Sequence, residues 1–192
     1  MVEPGDAELV ERCLRGAEEV QESFRLLFER HAPAVGRFLR GALGDEEQVR
    51  DALQETFLQL YRALERWHPE RPFRPWALGV AAKVARGLRR TAARRPLPPL
   101  PDHVDPPDEE AQVSEAVSRE EERRSIREAI GELPAEEREV FLLRHVEGLT
   151  FEEAAVVLGC SVRTAKTRMR GALTLLGVGL RRRGLVDREV AR

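Results

Sequence analysis

A cluster of prolines near the middle of the chain limits what this sequence can fold into. Six of the twelve prolines lie between residues 96 and 107. Proline has no amide N–H to donate and restricts the residue before it, so neither a helix nor a central strand can pass through this segment. Acidic residues accompany and follow these prolines, at Asp102, Asp105, Asp108, Glu109 and Glu110. We therefore predict an extended, self-repelling linker at 93–112 between a first half at 1–92 and a second half at 113–192.

Each half is predicted to be helical. In residues 45–66 the apolar side chains recur every three or four positions, as in a helix with one buried stripe. These side chains are Val49, Ala52, Leu53, Phe57, Leu60 and Leu64. Asp45 is suited to cap the start of this helix, and residues 24–43 show similar spacing, with Pro33 as a break or kink. No strand-length run of alternating β-branched residues is present, so the expected fold class is all-α.

A further helix of the first half is expected around Pro75, which fits a first helical turn because its missing N–H costs nothing there. The apolar residues expected to point inward are Trp76, Val80, Ala81, Val84 and Leu88. The basic residues expected to point largely outward are Arg74, Lys83, Arg86, Arg89 and Arg90.

In the second half, Pro134 is expected to open a helix, and a helix-turn-helix is predicted to follow it. Thr150 is a plausible N-cap, with Glu153 three residues later for a capping box. Ala154 and Ala155 are small enough for two helices to cross closely. Gly159 permits a positive φ at the end of the first helix, and Ser161 can cap the second.

The second helix of this motif has two distinct faces. Its apolar face is predicted to contain Val162, Ala165, Met169, Ala172, Leu173 and Leu176. The opposite face carries Arg163, Lys166, Thr167 and Arg170, with Arg168 between the faces. Long donors on an exposed helix face can reach base edges in a major groove, and Arg168 is better placed for a phosphate. The alternative is a plain helical hairpin with a charged, solvated face.

The net charge of −2, from 34 acidic and 32 basic side chains, is the sum of unequal parts. Residues 74–95 hold seven basic and no acidic side chains, which gives +7. Residues 159–192 hold nine basic and two acidic ones, which also gives +7 and leaves −16 for the rest. Solvated helix faces would explain either block alone, but two blocks on helical patterns favour contact with a polyanion.

Several classes of function lack their sequence signals. No apolar run is long enough to span a membrane, and the acidic N-terminus is unlike a signal peptide. Cys13 and Cys160 are far apart in sequence, so a disulfide framework and a four-thiolate zinc site are excluded. The four histidines are scattered, and no phosphate-binding glycine motif occurs. We therefore expect a cytoplasmic protein with no membrane insertion, no catalytic residues, no metal and no cofactor.

Several motifs occur in order along the chain. They are Asp51-Ala52-Leu53-Gln54-Glu55-Thr56-Phe57, Phe73-Arg74-Pro75-Trp76, Leu133-Pro134, Glu147-Gly148-Leu149-Thr150-Phe151 and Thr164-Ala165-Lys166-Thr167-Arg168. In this order and spacing they resemble regions 2 and 4 of the extracytoplasmic-function (ECF, group 4) subfamily of bacterial sigma-70 family RNA polymerase sigma factors. The resemblance spans nearly the whole chain. It implies two small helical domains joined by a linker: region 2 at 1–92 and region 4 at 113–192.

The resemblance also implies partners and site residues. Core RNA polymerase is expected to bind a surface formed by Asp51, Gln54, Glu55, Leu58 and Gln59. The melted −10 promoter element is expected to contact Arg74, Trp76, Lys83, Arg86, Arg89 and Arg90. The double-stranded −35 element is expected to contact Arg163, Thr164, Lys166, Thr167, Arg168 and Arg170. An anti-sigma factor is the expected regulator.

The sequence departs from the family pattern in the helix expected to read the −10 element. Lys83 stands where the family usually has asparagine, and Gly79 and Gly87 stand where polar residues are common. These departures motivate an alternative, namely an interaction protein of the same shape that sequesters an anti-sigma factor. A plain helix-turn-helix repressor is a third hypothesis, but it leaves the first half unexplained.

Overall fold

The computed structural model describes residues 4–16, 19–92 and 115–185, and its regular elements in these ranges are all helical. The helices are α1 (Asp6–Arg15), α2 (Val20–Leu43), α3 (Glu46–Arg62), α4 (Phe73–Ala92), α5 (Glu115–Gly131), α6 (Ala135–Phe141), α7 (Phe151–Leu158) and α8 (Val162–Arg182). A short 3₁₀ turn lies at Leu64–Arg66, and a π-helical turn at Leu142–Val146 continues α6. The all-α fold class is confirmed, while the predicted linker at 93–112 lies outside the described residues.

Helices α1 to α4 pack together as the N-terminal half. The Asp45 side chain accepts a hydrogen bond from the backbone N–H of Gln48 at 2.8 Å, which confirms the predicted cap of α3. Asp6 attaches α1 to α2, because its carboxylate lies 2.6 Å from Arg30 Nη1 and 3.1 Å from His31 Nε2. Burial alone would raise the pKa of Asp6, but His31 and Arg30 hold this pKa below its usual value.

Pro33 does not break its helix. Helix α2 runs from Val20 to Leu43 with Pro33 inside it, so the predicted break is wrong. Proline removes one main-chain hydrogen bond from a helix interior. The rest of α2 compensates because residues on both sides of the proline, including Leu27, Val35 and Phe38, are buried in the core. Packing therefore maintains the helix where the local sequence favours an interruption.

The inward face of α4 consists mainly of small residues. Ala77, Leu78, Ala81, Ala82 and Ala85 are completely buried, and small side chains allow neighbouring helices to approach closely. Of the residues predicted to point inward, Ala81 and Val84 are buried. Trp76, Val80 and Leu88 are only partly buried and pack at the edge of the core.

Helices α5 to α8 form the C-terminal half. A small cluster of Ala129, Leu133, Ala172 and Leu176 joins α5 to α8. Leu173 departs from its prediction, since 49% of this side chain's residue surface is exposed. The apolar face of α8 is narrower than the sequence pattern indicates, because only α5 and α6 cover this part of the helix rather than a deeper core.

The two halves share one hydrophobic core. The main cluster of buried residues includes Phe38 and Ala81 from the N-terminal half and Leu143 and Leu158 from the C-terminal half. At the contact, Leu142 lies directly against the backbone of α2, since a Cβ atom on Gly41 would be 2.5 Å from Leu142 Cδ2. The sequence divides the chain in two, but the folded halves lie against each other.

Candidate nucleic-acid interface

The helix-turn-helix forms as its local sequence predicts. Thr150 caps α7 in a reciprocal capping box, with Glu153 N donating to Thr150 Oγ1 at 3.1 Å and Thr150 N donating to Glu153 Oε2 at 2.7 Å. Gly159 ends α7 with φ of 64°, in the left-handed region that favours glycine. Ser161 caps α8 by accepting a hydrogen bond from Thr164 N at 3.0 Å. These contacts fix the angle between α7 and α8.

Helix α8 presents its basic face to solvent. Arg163, Lys166, Thr167 and Arg170 are all exposed, and the first turn of α8 contains no acidic residue. The Lys166 ammonium lies 5.7 Å from the centroid of the Phe151 ring, which is within cation–π range and holds its stem near α7. The exposed row therefore combines long, mobile donors with a firmly positioned helix.

Two other residues expected in this row are less free. The Thr164 hydroxyl lies 2.8 Å from Ser161 Oγ, so it takes part in the cap of α8. The guanidinium of Arg168 pairs with Glu136 at the start of α6 and is largely covered. Arg168 would have to leave this carboxylate to bind a phosphate.

The expected −10 residues on α4 divide into two groups. Lys83 and Arg90 are exposed, and Trp76 packs edge-on against Phe73 with ring centroids 5.2 Å apart. Arg74, Arg86 and Arg89 were predicted to point outward, but all three are partly buried against groups of the C-terminal half. The prediction treated the outward face of α4 as solvent, whereas in the structure α7 packs on that helix.

Glu147 is the centre of the first contact between the halves. Its side chain is fully buried, and it receives Arg37 Nε at 3.1 Å, Arg37 Nη2 at 3.1 Å and Arg74 Nη2 at 2.5 Å. Hydrogen bonds between a guanidinium and a carboxylate are among the stronger ones in proteins. Sequence reasoning missed both Glu147 and Arg37, because their partners are more than 70 residues away along the chain.

A second contact between the halves joins Arg89 to Glu139, whose side chain is 4% exposed. Arg89 also donates to the carbonyl of Ala42 at 3.4 Å, and Arg138 from α6 donates to the same carbonyl at 3.4 Å. Burial lowers the pKa of Arg138, and the nearby positive charge of Arg89 lowers it further. Two guanidinium groups thus converge on the C-terminal end of α2, where helix carbonyls lack partners.

A third contact positions α7 across α4. Arg86 Nη1 donates to the carbonyl of Leu158, the last residue of α7, at 3.3 Å. A cation at this end of a helix is favourable, because the partial charge there is negative. A Cβ atom on Gly79 would lie 3.9 Å from Cα of Val157, so the backbones of α4 and α7 approach closely.

The outward face of α3 matches its sequence prediction and extends further. Asp51, Gln54, Glu55 and Leu58 are exposed, while Gln59 is half-buried and donates to Glu55 at 2.7 Å. Beside them is an apolar groove of about 570 Å³ between α2 and α3. Its lining is Phe24, Phe28, Arg50, Leu53, Gln54, Phe57, Leu58 and Tyr61.

The sequence contained a signal for this groove that the helical pattern did not resolve. Phe28 and Tyr61 are 39% and 46% exposed, which is unusual for large aromatic residues. Phe24 and Tyr61 form an edge-on pair with centroids 5.0 Å apart, and Phe28 lies 4.6 Å from Phe57. The aromatic residues therefore form a continuous apolar surface next to the polar face of α3.

Two family descriptions match this chain. The description "Sigma-70 region 2" matches residues 27–95, which include α2, α3 and α4. The description "Sigma-70, region 4" matches residues 123–176, which include α6, α7 and most of α5 and α8.

The RNA polymerase sigma factor CarQ of Myxococcus xanthus is 32% identical over 189 residues, covering 95% of this chain and all of CarQ. The ECF RNA polymerase sigma-E factor of Escherichia coli K12 is 30% identical over 176 residues, covering 85% of this chain and 88% of that protein. The chain belongs to the ECF group of the sigma-70 family. Sigma factors are transcription regulators rather than enzymes.

Solved structures of sigma factors resemble this one. CnrH, in complex with the cytosolic domain of CnrY, has a TM-score of 0.67 and 29% identity, with 92% of this chain and 97% of CnrH covered. RpoE of Bartonella quintana, in complex with the anti-sigma factor NepR, has a TM-score of 0.68 at 19% identity. It covers 87% of this chain and 99% of RpoE, and supports the fold alone.

Two searches of the described residues bear on other functions of this sigma factor. No group of three or more histidine, cysteine, aspartate or glutamate residues in this part of the chain is placed to hold a metal ion. No described helix is long and apolar enough to cross a membrane.

Proposed function

We propose that this sigma factor directs core RNA polymerase to specific promoters, with α8 reading a double-stranded −35 element and α4 holding a melted −10 element. The proposal assigns polymerase binding and the −10 element to residues 1–92, the −35 element to 113–192, and the connection to 93–112. It also assigns the protein to the cytoplasm and gives it no covalent chemistry of its own. The observation that carries it is the exposed donor row of α8.

The geometry of this row suits a major groove. The caps at Thr150 and Ser161 fix α8 on the body of the region 4 half, and its outer face is free of acidic side chains in the first turn. Arginine and lysine donate to the O6 and N7 atoms of guanine, and a good bidentate pair is worth about 1–3 kcal/mol of discrimination. Arg163, Lys166 and Arg170 supply such donors, while Thr167 can bind either a base or a phosphate.

Helix α4 supports the second element of the proposal. Opened strands are held by cationic side chains along the backbone and by surfaces on which bases stack. Lys83 and Arg90 are exposed on α4, and Trp76 lies half-buried at its start. Arg74, Arg86 and Arg89 would join them when their contacts with the C-terminal half are released.

The surface proposed for core polymerase combines a polar and an apolar part. Asp51, Gln54 and Glu55 supply charge and hydrogen-bonding groups on α3, and Leu58 stands exposed among them. The adjoining aromatic groove adds the apolar centre that protein interfaces commonly have. A polymerase surface with a basic and apolar character would complement it.

The proposed regulator is an anti-sigma factor. CnrH, which is 29% identical and covers most of this chain in structure, was solved in complex with the cytosolic domain of CnrY. By analogy, a partner of this class would cover the polymerase-binding and DNA-binding faces of this chain.

The proposal is tested by transcription with purified components. Core RNA polymerase from the same organism is mixed with the full chain and with fragmented genomic DNA, and run-off transcripts are sequenced. We expect start sites that share two spaced motifs and that are absent with core polymerase alone. If core polymerase binds the chain and no discrete start sites are found, the proposal is wrong.

The same experiment addresses the second candidate function, an interaction protein that sequesters an anti-sigma factor. The departures at Gly79, Lys83 and Gly87 favour this candidate, because they change the helix proposed to hold the −10 strand. Such a protein would bind an anti-sigma factor but direct no transcription with core polymerase. The exposed donor row of α8 argues against it, since sequestration needs no DNA-reading face.

A further inference from the structure

We propose that the contact between the two halves is an autoinhibitory closure of the free chain. In this closure, carboxylates of the C-terminal half occupy arginines of α2 and α4 that a melted promoter strand would otherwise bind. The inference rests on the proposed function, because Arg74, Arg86 and Arg89 belong to the proposed −10 site. We call the arrangement in the structure the closed form.

In the closed form, half of the proposed −10 residues are already bound. Arg74 is bound to Glu147, Arg89 to Glu139, and Arg86 to the carbonyl of Leu158. All three acceptors lie on the C-terminal half. The three other proposed −10 residues, Trp76, Lys83 and Arg90, make none of these contacts across the halves.

The acceptors resemble the ligand that they would exclude. A guanidinium binds carboxylate and phosphate oxygens with similar geometry. The Glu147 carboxylate takes three N–H groups from Arg37 and Arg74 and is completely buried, so water does not compete for it in the closed form. A phosphate on a promoter strand would need the same N–H groups.

Packing around these ion pairs closes the face of α4. Leu142 lies against the backbone of α2 at Gly41, and the backbone of α7 at Val157 lies close to Gly79 of α4. A strand approaching this part of α4 would meet α7 first. The outer face of α8 remains exposed in the same arrangement, so closure restricts the −10 site and leaves the −35 row accessible.

The ion pairs are suited to a reversible contact. Burying two charges requires their desolvation, and this cost largely cancels their attraction, so a buried pair adds little net stability. Exchange of the carboxylates for phosphates would conserve the hydrogen bonds of the arginines. The closed form can therefore open when polymerase and DNA supply the replacement contacts.

The first test measures binding of the free full-length chain to a fluorescent 20-nucleotide mixed-sequence single-stranded DNA, by anisotropy over a range of KCl concentrations. The test variant is Glu139→Gln with Glu147→Gln, which removes the competing charges and retains every arginine. We expect at least about tenfold tighter binding at low salt. The slope of log K against log salt should steepen by about 1.4, since each of the two freed arginines contributes about 0.7 on single strands.

The second test opens the contact without changing any charge. Gly41→Ala would place a Cβ atom 2.5 Å from Leu142 Cδ2, whereas Gly36→Ala on the same helix would meet only Arg40 Nη1, at 3.7 Å. Both substitutions favour the helix itself, so Gly36→Ala is the matched control. We expect Gly41→Ala to increase the radius of gyration in solution scattering and to tighten DNA binding, and Gly36→Ala to do neither.

The outcomes separate closure from the proposed function. If Gly41→Ala retains the wild-type helicity and expands but does not bind DNA more tightly, or if neither variant differs from wild type, closure is not inhibitory and the inference is wrong. If the carboxylate variant fails to fold, the Gly41→Ala result decides. If both variants bind DNA more tightly while wild type with core polymerase yields no discrete start sites, closure stands and the proposed function fails.

Discussion

Glu147 and its two arginines should respond unequally to substitution, because only one side of the ion pair is buried. The Glu147 side chain is 0% exposed, whereas Arg37 and Arg74 are 46% and 42% exposed. Removing both guanidinium groups strands a buried carboxylate, and breaking a buried pair in this way costs about 3–5 kcal/mol. Opening of the contact limits this cost, because it returns the carboxylate to water.

Removing the carboxylate is a smaller perturbation. The arginines can turn to solvent, so the loss is confined to their net hydrogen bonds, roughly 1–2 kcal/mol after screening at half-exposed groups. We therefore expect Arg37→Met with Arg74→Met to lower the free energy of unfolding by about 3–5 kcal/mol. Glu147→Gln should lower it by about 1–2 kcal/mol.

Urea denaturation measures both effects. Ellipticity at 222 nm follows helices of both halves, and the fluorescence of the chain's two tryptophans, Trp67 and Trp76, follows the N-terminal half. Arg12→Met is the control, because its pair with Glu8 is exposed on both sides and should be worth less than about 1 kcal/mol. An equal or larger loss for Glu147→Gln than for the double arginine variant would refute the reasoning.

Other substitutions test the remaining surfaces. Thr150→Ala removes the N-cap of α7 and should cost about 1 kcal/mol in thermal denaturation. Lys166→Ala with Arg170→Ala should weaken binding of the polymerase complex to −35 duplex by about tenfold or more and spare its assembly, as measured by anisotropy. Asp51→Arg should impair binding to core polymerase in a pull-down titration. Burial raises the pKa of the Cys13 thiol, so Cys13 should react slowly with a thiol reagent at pH 8 until the chain is unfolded.

Matched controls accompany these substitutions. Thr150→Ser retains a hydroxyl cap and should be close to wild type. Arg181→Ala with Arg182→Ala removes the same charge from the distant end of α8 and should leave −35 binding nearly unchanged. Glu70→Arg makes a charge change outside α3, so unchanged polymerase binding is expected. Loss of polymerase binding in Lys166→Ala with Arg170→Ala would contradict the proposed division of labour, and normal binding by Asp51→Arg would contradict the proposed α3 surface.

Local sequence determines much of what could be predicted. The caps at Asp45, Thr150 and Ser161, and the left-handed Gly159, involve residues within a few positions of each other, so their chemistry is readable from the sequence. The helical periodicity likewise located α3 and the basic face of α8. Pro33 shows the limit of this approach, because packing on both sides of it maintains a helix that the local rule would interrupt.

Contacts distant in sequence could not be predicted. Glu147 lies 110 residues from Arg37 and 73 residues from Arg74, and no local pattern pairs them. The prediction that Arg74 points outward was reasonable for an isolated N-terminal half. It is wrong in the full chain because the C-terminal half covers that face and supplies the carboxylate.

The π-helical turn after α6 makes the length of that segment as important as its chemistry. Glu147 N donates to the carbonyl of Leu142, five residues earlier, at 2.9 Å. This wider turn accommodates one more residue than an α-helical turn would. Deleting one residue here would rotate everything after it by about 100° relative to α6. Leu142 would still face Gly41, but Glu147 and the whole helix-turn-helix would be out of register with α4, although every interacting side chain would still be present.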